Sequence, residues 1–296
     1  MFTQEALEIA GRSQELTAQQ RLGLSLIETI ARETGLALPS VSPASPLVMV
    51  DGQLVYKGVP TEGDLVELQV DTYRAKGFDI NPPRPHKDLR ETLLIASDLG
   101  WPYAGNFVPS IKGFDLRRLN VPPEEWYFQQ RESGTIKTTA KGGYWVAIDL
   151  TPRPNYGSGI QLYPNDHLGS ILVRLRDEKK IDVSGYEHVP VISRFALSFE
   201  EVEQAVPPEV ARYLRVNKRK TRVPFEEEFN ILGNIFYPHF GQASTSEWLM
   251  NSFGDGHRLR GGHSGSGGLG YVSRWGSDDR GGHLGFRLLA EIPSAA

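Results

Sequence analysis

The residues best able to do chemistry gather in one stretch, Asn251 to His283, where 11 of 33 positions are Gly and most others are Ser, His, Arg or Asp. Gly265-x-Gly267-x-x-Gly270 has dinucleotide-binding spacing, a pattern that works between a strand and a helix whose N-terminus meets the pyrophosphate. Tyr271 to Arg280 has no helical period, so that chemistry is set aside. Ser, His and Asp are present for nucleophilic catalysis, yet the chain has no Gly-x-Ser-x-Gly elbow. His257, His263 and His283 match no standard zinc spacing, and Asp278-Asp279 lacks the oxygen-donor pattern of a calcium loop. Cysteine is absent, which removes disulfides, thiolate metal sites and thiol nucleophiles together. Neither a metal nor a cofactor is expected.

Glycine this dense usually marks a flexible linker. Here Leu259, Leu269, Tyr271, Val272 and Trp275 interrupt it, and it runs directly into Leu284, Phe286, Leu288, Ala290 and Ile292, an alternation read as one strand. An ordered, loop-rich surface is therefore expected. Its alphabet is also filtered. Lys, Glu and Gln number 43 in 296 residues, so about five are expected in 33 positions, and none occurs. The residues that are left suit an adaptable recognition surface.

Several elements must position this stretch. Thr17 and Gln20 form a capping-box pattern ahead of an amphipathic helix ending at Gly35. Residues 47 to 70 carry β-like runs around an Asp51-Gly52 turn, predicting a hairpin, and the Pro-dense stretch Asn81 to Pro85 breaks the chain. Tyr144, Val146, Ile148 and Leu150 alternate, as do Ile171, Val173 and Leu175, and both runs read as half-buried strands. Ser198 with Glu201 opens a helix that Pro207-Pro208 should interrupt. Another is predicted over Phe225 to Leu232, acidic in its first turn and stopped by Gly233. The basic run from Lys218 to Arg222 reads as a solvated loop, and Asp166-His167 and Glu187-His188 as ordinary surface residues.

Length suggests two domains, or one domain with a long appendage, and 39% apolar with 23% charged residues excludes disorder of the whole. A formal charge of −4 provides no basic excess for nucleic acid. No stretch reaches the roughly 18 apolar residues of a membrane span and no signal pattern opens the chain, so the expectation is cytoplasmic synthesis without membrane insertion.

Arg222-Val223-Pro224-x-Glu226-x-Glu228-Phe229, then Glu247-Trp248 and Gly285-Phe286-Arg287, resembles the formylglycine-generating (sulfatase-modifying-factor) branch of the C-type lectin fold. Gly254-Asp255-Gly256-x-Arg258-Leu259-x-Gly261-Gly262, with Gly268-Leu269 and Val272-x-x-Trp275-x-Ser277-Asp278-x-Arg280, is similar to the variable region of proteins diversified by diversity-generating retroelements. The resemblance implies an α+β chain: a mixed helical and β N-terminal region over 1–115, then a C-type-lectin domain over 116–296 with its variable region at about 251–287. In that family Asn codons are randomised to many residues but never to Lys, Glu, Gln, Met or Trp, which fits the filtered alphabet. Alignment to the family pattern makes His257, Arg260, His263, Ser266, Ser273, Arg274, Gly276, Asp279, Gly281, Gly282 and His283 the diversified, ligand-binding positions. Gly261, Gly262, Leu269, Val272, Trp275, Ser277, Asp278, Arg280, Leu284 and Phe286 would be the scaffold. Arg258 and Arg280 are expected to brace loops through carboxylates, with Arg260 and Arg274 the better ligand contacts.

The resemblance thus implies a non-catalytic binding protein whose partner is a macromolecule, a protein before any other class. Formylglycine-generating enzymes use paired cysteines, and this chain has none; related iron-dependent sulfoxide synthases use N-terminal histidines, of which His86 alone precedes residue 160. An iron-dependent oxidoreductase of the same fold is one competing reading. A fixed structural or virion protein is the other.

Overall fold

The computed structural model describes residues 47–50, 53–56, 59–157, 159–217 and 220–294. The helix expected before Gly35 lies outside them. The chain divides into two compact units, Met1–Pro60 and Thr61–Ala296. In the first, β1 (Leu47–Val50) pairs antiparallel with β2 (Gln53–Tyr56), the hairpin expected there. The β-like texture does not run on to residue 70: helix α1 begins at Glu62, with Thr61 and Asp64 closing a capping box.

The second unit is mixed α and β. Its described helices are α1 (Glu62–Ala75), α2 (Lys87–Asp98), α3 (Glu125–Glu132), α4 (Gly169–Asp177), α5 (Phe199–Leu214) and α6 (Glu226–Ile235). Strands β3 (Tyr103–Val108), β5 (Tyr144–Asp149), β6 (Thr221–Arg222) and β11 (Leu289–Ile292) form one antiparallel sheet in the order β3-β5-β11-β6. Strands β7 (Ser246–Phe253), β8 (His257–Gly261) and β9 (Val272–Gly276) form the other, an antiparallel ribbon. On the free edge of β7, β4 (Ile136–Lys137) pairs antiparallel at one end and β10 (Leu284–Gly285) parallel at the other. Residues 61–115 pack with the later part of the chain, since β3 pairs along its length with β5. Among the described residues no helix is long and apolar enough to cross a membrane.

Several local expectations change. Ile171 to Leu175 is not a strand but part of α4: Ile171, Leu172 and Leu175 are buried together, a helical spacing that the coincidental alternation concealed. α5 runs unbroken through Pro207 and Pro208, because burial of Val202, Ala205, Val206 and Val210 on one face compensates the lost backbone donors. Its capping box is present, with Ser198 Oγ accepting from the Glu201 amide at 3.2 Å. β5 is buried on both faces, from Trp145 to Asp149, since α2 covers the sheet that an exposed face would have left open. The alternation from Leu284 to Ile292 is split between two sheets, with Phe286 to Leu288 crossing from one to the other.

Gly233 does not stop α6. It lies inside the helix, where a Cβ would meet Leu269 Cδ2 at 2.4 Å, so its value is close approach. Arg222 is not solvated either; its guanidinium holds Glu228 through two 2.7 Å bonds. Asp166 and His167 leave the surface for a buried network, where Asp166 meets Arg194 at 2.7 Å.

Candidate functional site

The site region is the β7-β8-β9 ribbon and the loops that close it. β7 carries two more residues than β8 between Trp248 and Ser252, so the ladder shifts there. The extra length lets Met250 donate to the Pro224 carbonyl at 2.9 Å and brings Asn251 over the start of α6. Asn251 Oδ1 accepts from the Glu226 amide at 2.7 Å, and its Nδ2 donates to Glu227 at 3.1 Å. A side chain from the sheet therefore caps the helix.

The loop between β8 and β9 is held by comparable means. Leu269 is buried against Gly233 and Gly241, and its carbonyl accepts from Asn230 at 2.8 Å. Gly270 accepts from the Glu124 amide, and Val272 donates to the Glu124 carboxylate at 3.1 Å. Gly262 has φ +85°, and its carbonyl accepts from the buried Arg153, whose guanidinium would meet any Cβ at 2.8 Å. Farther on, Ser277 donates to Glu200 at 2.9 Å, and Arg280 pairs with Glu201 and Asp182 at 2.8 Å each. Among the described residues Arg258 meets no carboxylate: it stacks on Phe199 at 4.5 Å and donates to the Met250 carbonyl.

Register decides which side chains share a face. Cross-strand partners lie on the same face, so Arg258, Arg260, Ser273 and Trp275 share one face with Trp248. His257, Leu259, Val272 and Arg274 share the other, where Arg274 lies 4.7 Å from the Phe253 ring and Phe253 stacks on Trp126. The proposed diversified positions thus form a main group and a smaller one. The main group is Arg260, Ser273, His263, Ser266 and His283; His257 and Arg274 lie apart from it.

Arg260 is the centre of the main group. Its guanidinium lies 4.1 Å above the Trp275 ring, donates to His283 Nε2 at 2.7 Å and reaches the Tyr271 hydroxyl at 3.3 Å. His263 stands beside Tyr271, and Ser266 lies 3.2 Å from His263 Nδ1. Burial first, then the Arg260 charge, then His263 hold His283 below the usual histidine range. A neutral His283 is what accepting from Arg260 requires.

Other placements are mixed. Trp275 is half-buried, Asp278 and Asp279 are exposed in the turn after β9, and Asp279 accepts from the Gly276 amide at 3.1 Å. Gly281 and Gly282 are buried rather than on the surface; a Cβ on Gly282 would meet His188 Nε2 at 2.8 Å. Gly261, Gly262, Leu269, Val272, Leu284 and Phe286 are all buried. Among the described residues no group of three or more His, Asp or Glu is placed to hold a metal ion.

Sequence reasoning missed the wall beside this group. Tyr156 lies 5.9 Å from His283 and 5.8 Å from His188, Tyr186 lies 5.7 Å from His188, and the Tyr186 hydroxyl donates to the Arg280 carbonyl at 2.9 Å. No motif marks these residues, because their importance comes only from adjacency to a segment far along the chain.

No family model matches the chain, and no curated protein or solved structure matches it.

Proposed function

We propose that this protein is a non-catalytic, receptor-binding type of protein with a C-type-lectin scaffold of the formylglycine-generating type, whose surface residues within about 251–287 are diversified by a retroelement. The observation that carries this reading is the division of labour inside one segment. Leu269, Val272, Leu284 and Phe286 are buried and tied to the core, whereas Arg260, His263, Ser266, Ser273 and His283 reach the surface around one ribbon face. A framework fixed in this way tolerates exchange of the residues between its anchors, since surface substitutions usually cost within about 0.5 kcal/mol. The mixed α and β architecture with two sheets is compatible with the scaffold.

Sequencing the coding region across a population tests the reading. Substitutions concentrated in the eleven diversified codons, with a near-copy of the segment and a reverse transcriptase gene nearby, are the expected result. A uniform spread of substitutions, or none, would overturn it in favour of a fixed structural protein. The buried Gly281 and Gly282 should vary least, with Gly282 limited by the His188 ring.

A further inference from the structure

Arg260 carries a positive charge in a half-buried setting that supplies no counter-charge among the described residues. Its neighbours are Tyr271, His283 and Trp275, and its buried Nε has no hydrogen-bond partner among the described residues. Among the described residues no Asp or Glu pairs with it, whereas Arg280, Arg287, Arg222 and Arg194 each hold at least one carboxylate. Arg258, two residues back on the same face, is committed to Phe199 and the Met250 carbonyl. Burial lowers the Arg260 pKa, and the neighbouring Tyr271 only partly opposes that.

Beside this cation stands an apolar lip formed outside the diversified segment. Ile160 is 75% exposed and Tyr156 47% exposed. With Gly157, Gly159, Glu187 and His188 they line an open groove of about 850 Å³. Tyr156 joins the groove to the Arg260 group through its edge contact with His283. Arginine and tyrosine flanked by apolar surface are the residue types that dominate protein interface energetics.

We infer that the Arg260 face and the Tyr156–Ile160 lip form one combining surface, and that this surface takes a protein segment presenting an acidic side chain beside an apolar one. The inference rests on the binding reading above and adds to it the partner's chemistry and a fixed contact outside the variable segment. The acid supplies the counter-charge that Arg260 lacks, and the apolar neighbour covers Ile160 and Tyr156. A single guanidinium without a carboxylate partner among the described residues matches a singly charged carboxylate; a phosphate carries nearly two charges and is ordinarily met by several cations. Glu187, exposed at the groove, forms no ion pair with Arg260 and disfavours a polyanion there.

The test is selection of a random displayed peptide library on the full chain. The expected result is enrichment of peptides with Asp or Glu adjacent to Leu, Ile, Phe or Tyr. Binding of the enriched pool should fall at least tenfold on Arg260→Gln, and also on Ile160→Ser, whose exposed side chain leaves folding intact, with both variants melting as the parent does. Three results would overturn the inference: no enrichment of acids, undiminished binding to both variants, or displacement of the peptides by millimolar inorganic phosphate or sulfated oligosaccharide. Because codon variation is measured independently, variation confined to the diversified codons together with such a result removes only the acid-and-lip inference. Absence of that variation removes the diversification reading itself.

Discussion

Arg287 and Glu247 face each other where the chain crosses between the two sheets, with Arg287 Nε and Nη2 at 3.1 and 3.2 Å from the carboxylate oxygens and both side chains buried. Tyr163 donates to the same carboxylate at 2.9 Å, and Arg153 Nη1 lies 3.8 Å away. One acid therefore serves two buried guanidinium groups. Both members lie in the short motifs Glu247-Trp248 and Gly285-Phe286-Arg287, and because Arg287 also donates to the Asp149 carbonyl, the pair joins the two sheets.

Removing that acid should be severe. Glu247→Gln leaves Arg287 and Arg153 without their shared counter-charge, and breaking a buried pair costs about 3–5 kcal/mol. Urea denaturation is the measurement; a loss under about 1 kcal/mol would contradict the geometry.

Glu226 should behave in the opposite way. It is completely buried, both carboxylate oxygens lack hydrogen-bond partners among the described residues, and burial, then Glu227, then Glu124 push its pKa well above the ordinary carboxylate range. The folded protein holds a proton there that the unfolded chain releases near pH 4.5, so this group's contribution is full below that pH and declines as pH rises toward the folded value. Glu226→Gln removes the dependence. Thermal melting from pH 5 to 8 should show the variant gaining on the parent as pH rises.

His239 acts on the acid side. Burial first, then Arg287, lower it to about 4. Because the unfolded imidazole titrates near 6.5 and the folded one near 4, its contribution is present above pH 6.5 and is lost as pH falls toward 4. His239→Gln should flatten the stability profile between those values, measured by denaturant midpoints at fixed ionic strength.

Gly233→Ala should destabilise although alanine is the better helix former. The added methyl meets Leu269 at 2.4 Å, and overpacking of about 1–3 kcal/mol outweighs a propensity gain of about 1 kcal/mol. Hydrogen exchange at the Leu269 to Val272 amides reports the expected loosening of the loop. Protection equal to the parent's would show that the helix absorbs the methyl.

Alanine at His257, Ser266 or Arg274 should shift stability by no more than about 0.5 kcal/mol, since all three are exposed. Denaturant midpoints for the three single variants check this. A large loss at any of them would mean that position is a framework residue.

Features made within a few residues were legible in the chain. The Ser198–Glu201 capping box and the pairing of β1 with β2 depend on nearest neighbours along the sequence, so residue type and spacing are enough. The 251–283 stretch reads as loop-rich, whereas it holds the strands His257–Gly261 and Val272–Gly276, whose pairing partners lie across the ribbon and leave no mark in local composition. What the chain could not declare were features settled by distant partners. Leu269 turns Gly233 from a helix stop into a contact point, burial carries α5 through two prolines, and the pairing of β10 with β7 and β11 with β5 splits one alternating run between two sheets. The same holds for the face that carries Arg260. Alternation along β8 and β9 separates facing side chains from their neighbours, but only the ladder register puts Arg260 with Trp275, and only folding brings Tyr156 to His283, because local spacing carries no information about which far segment will complete a surface.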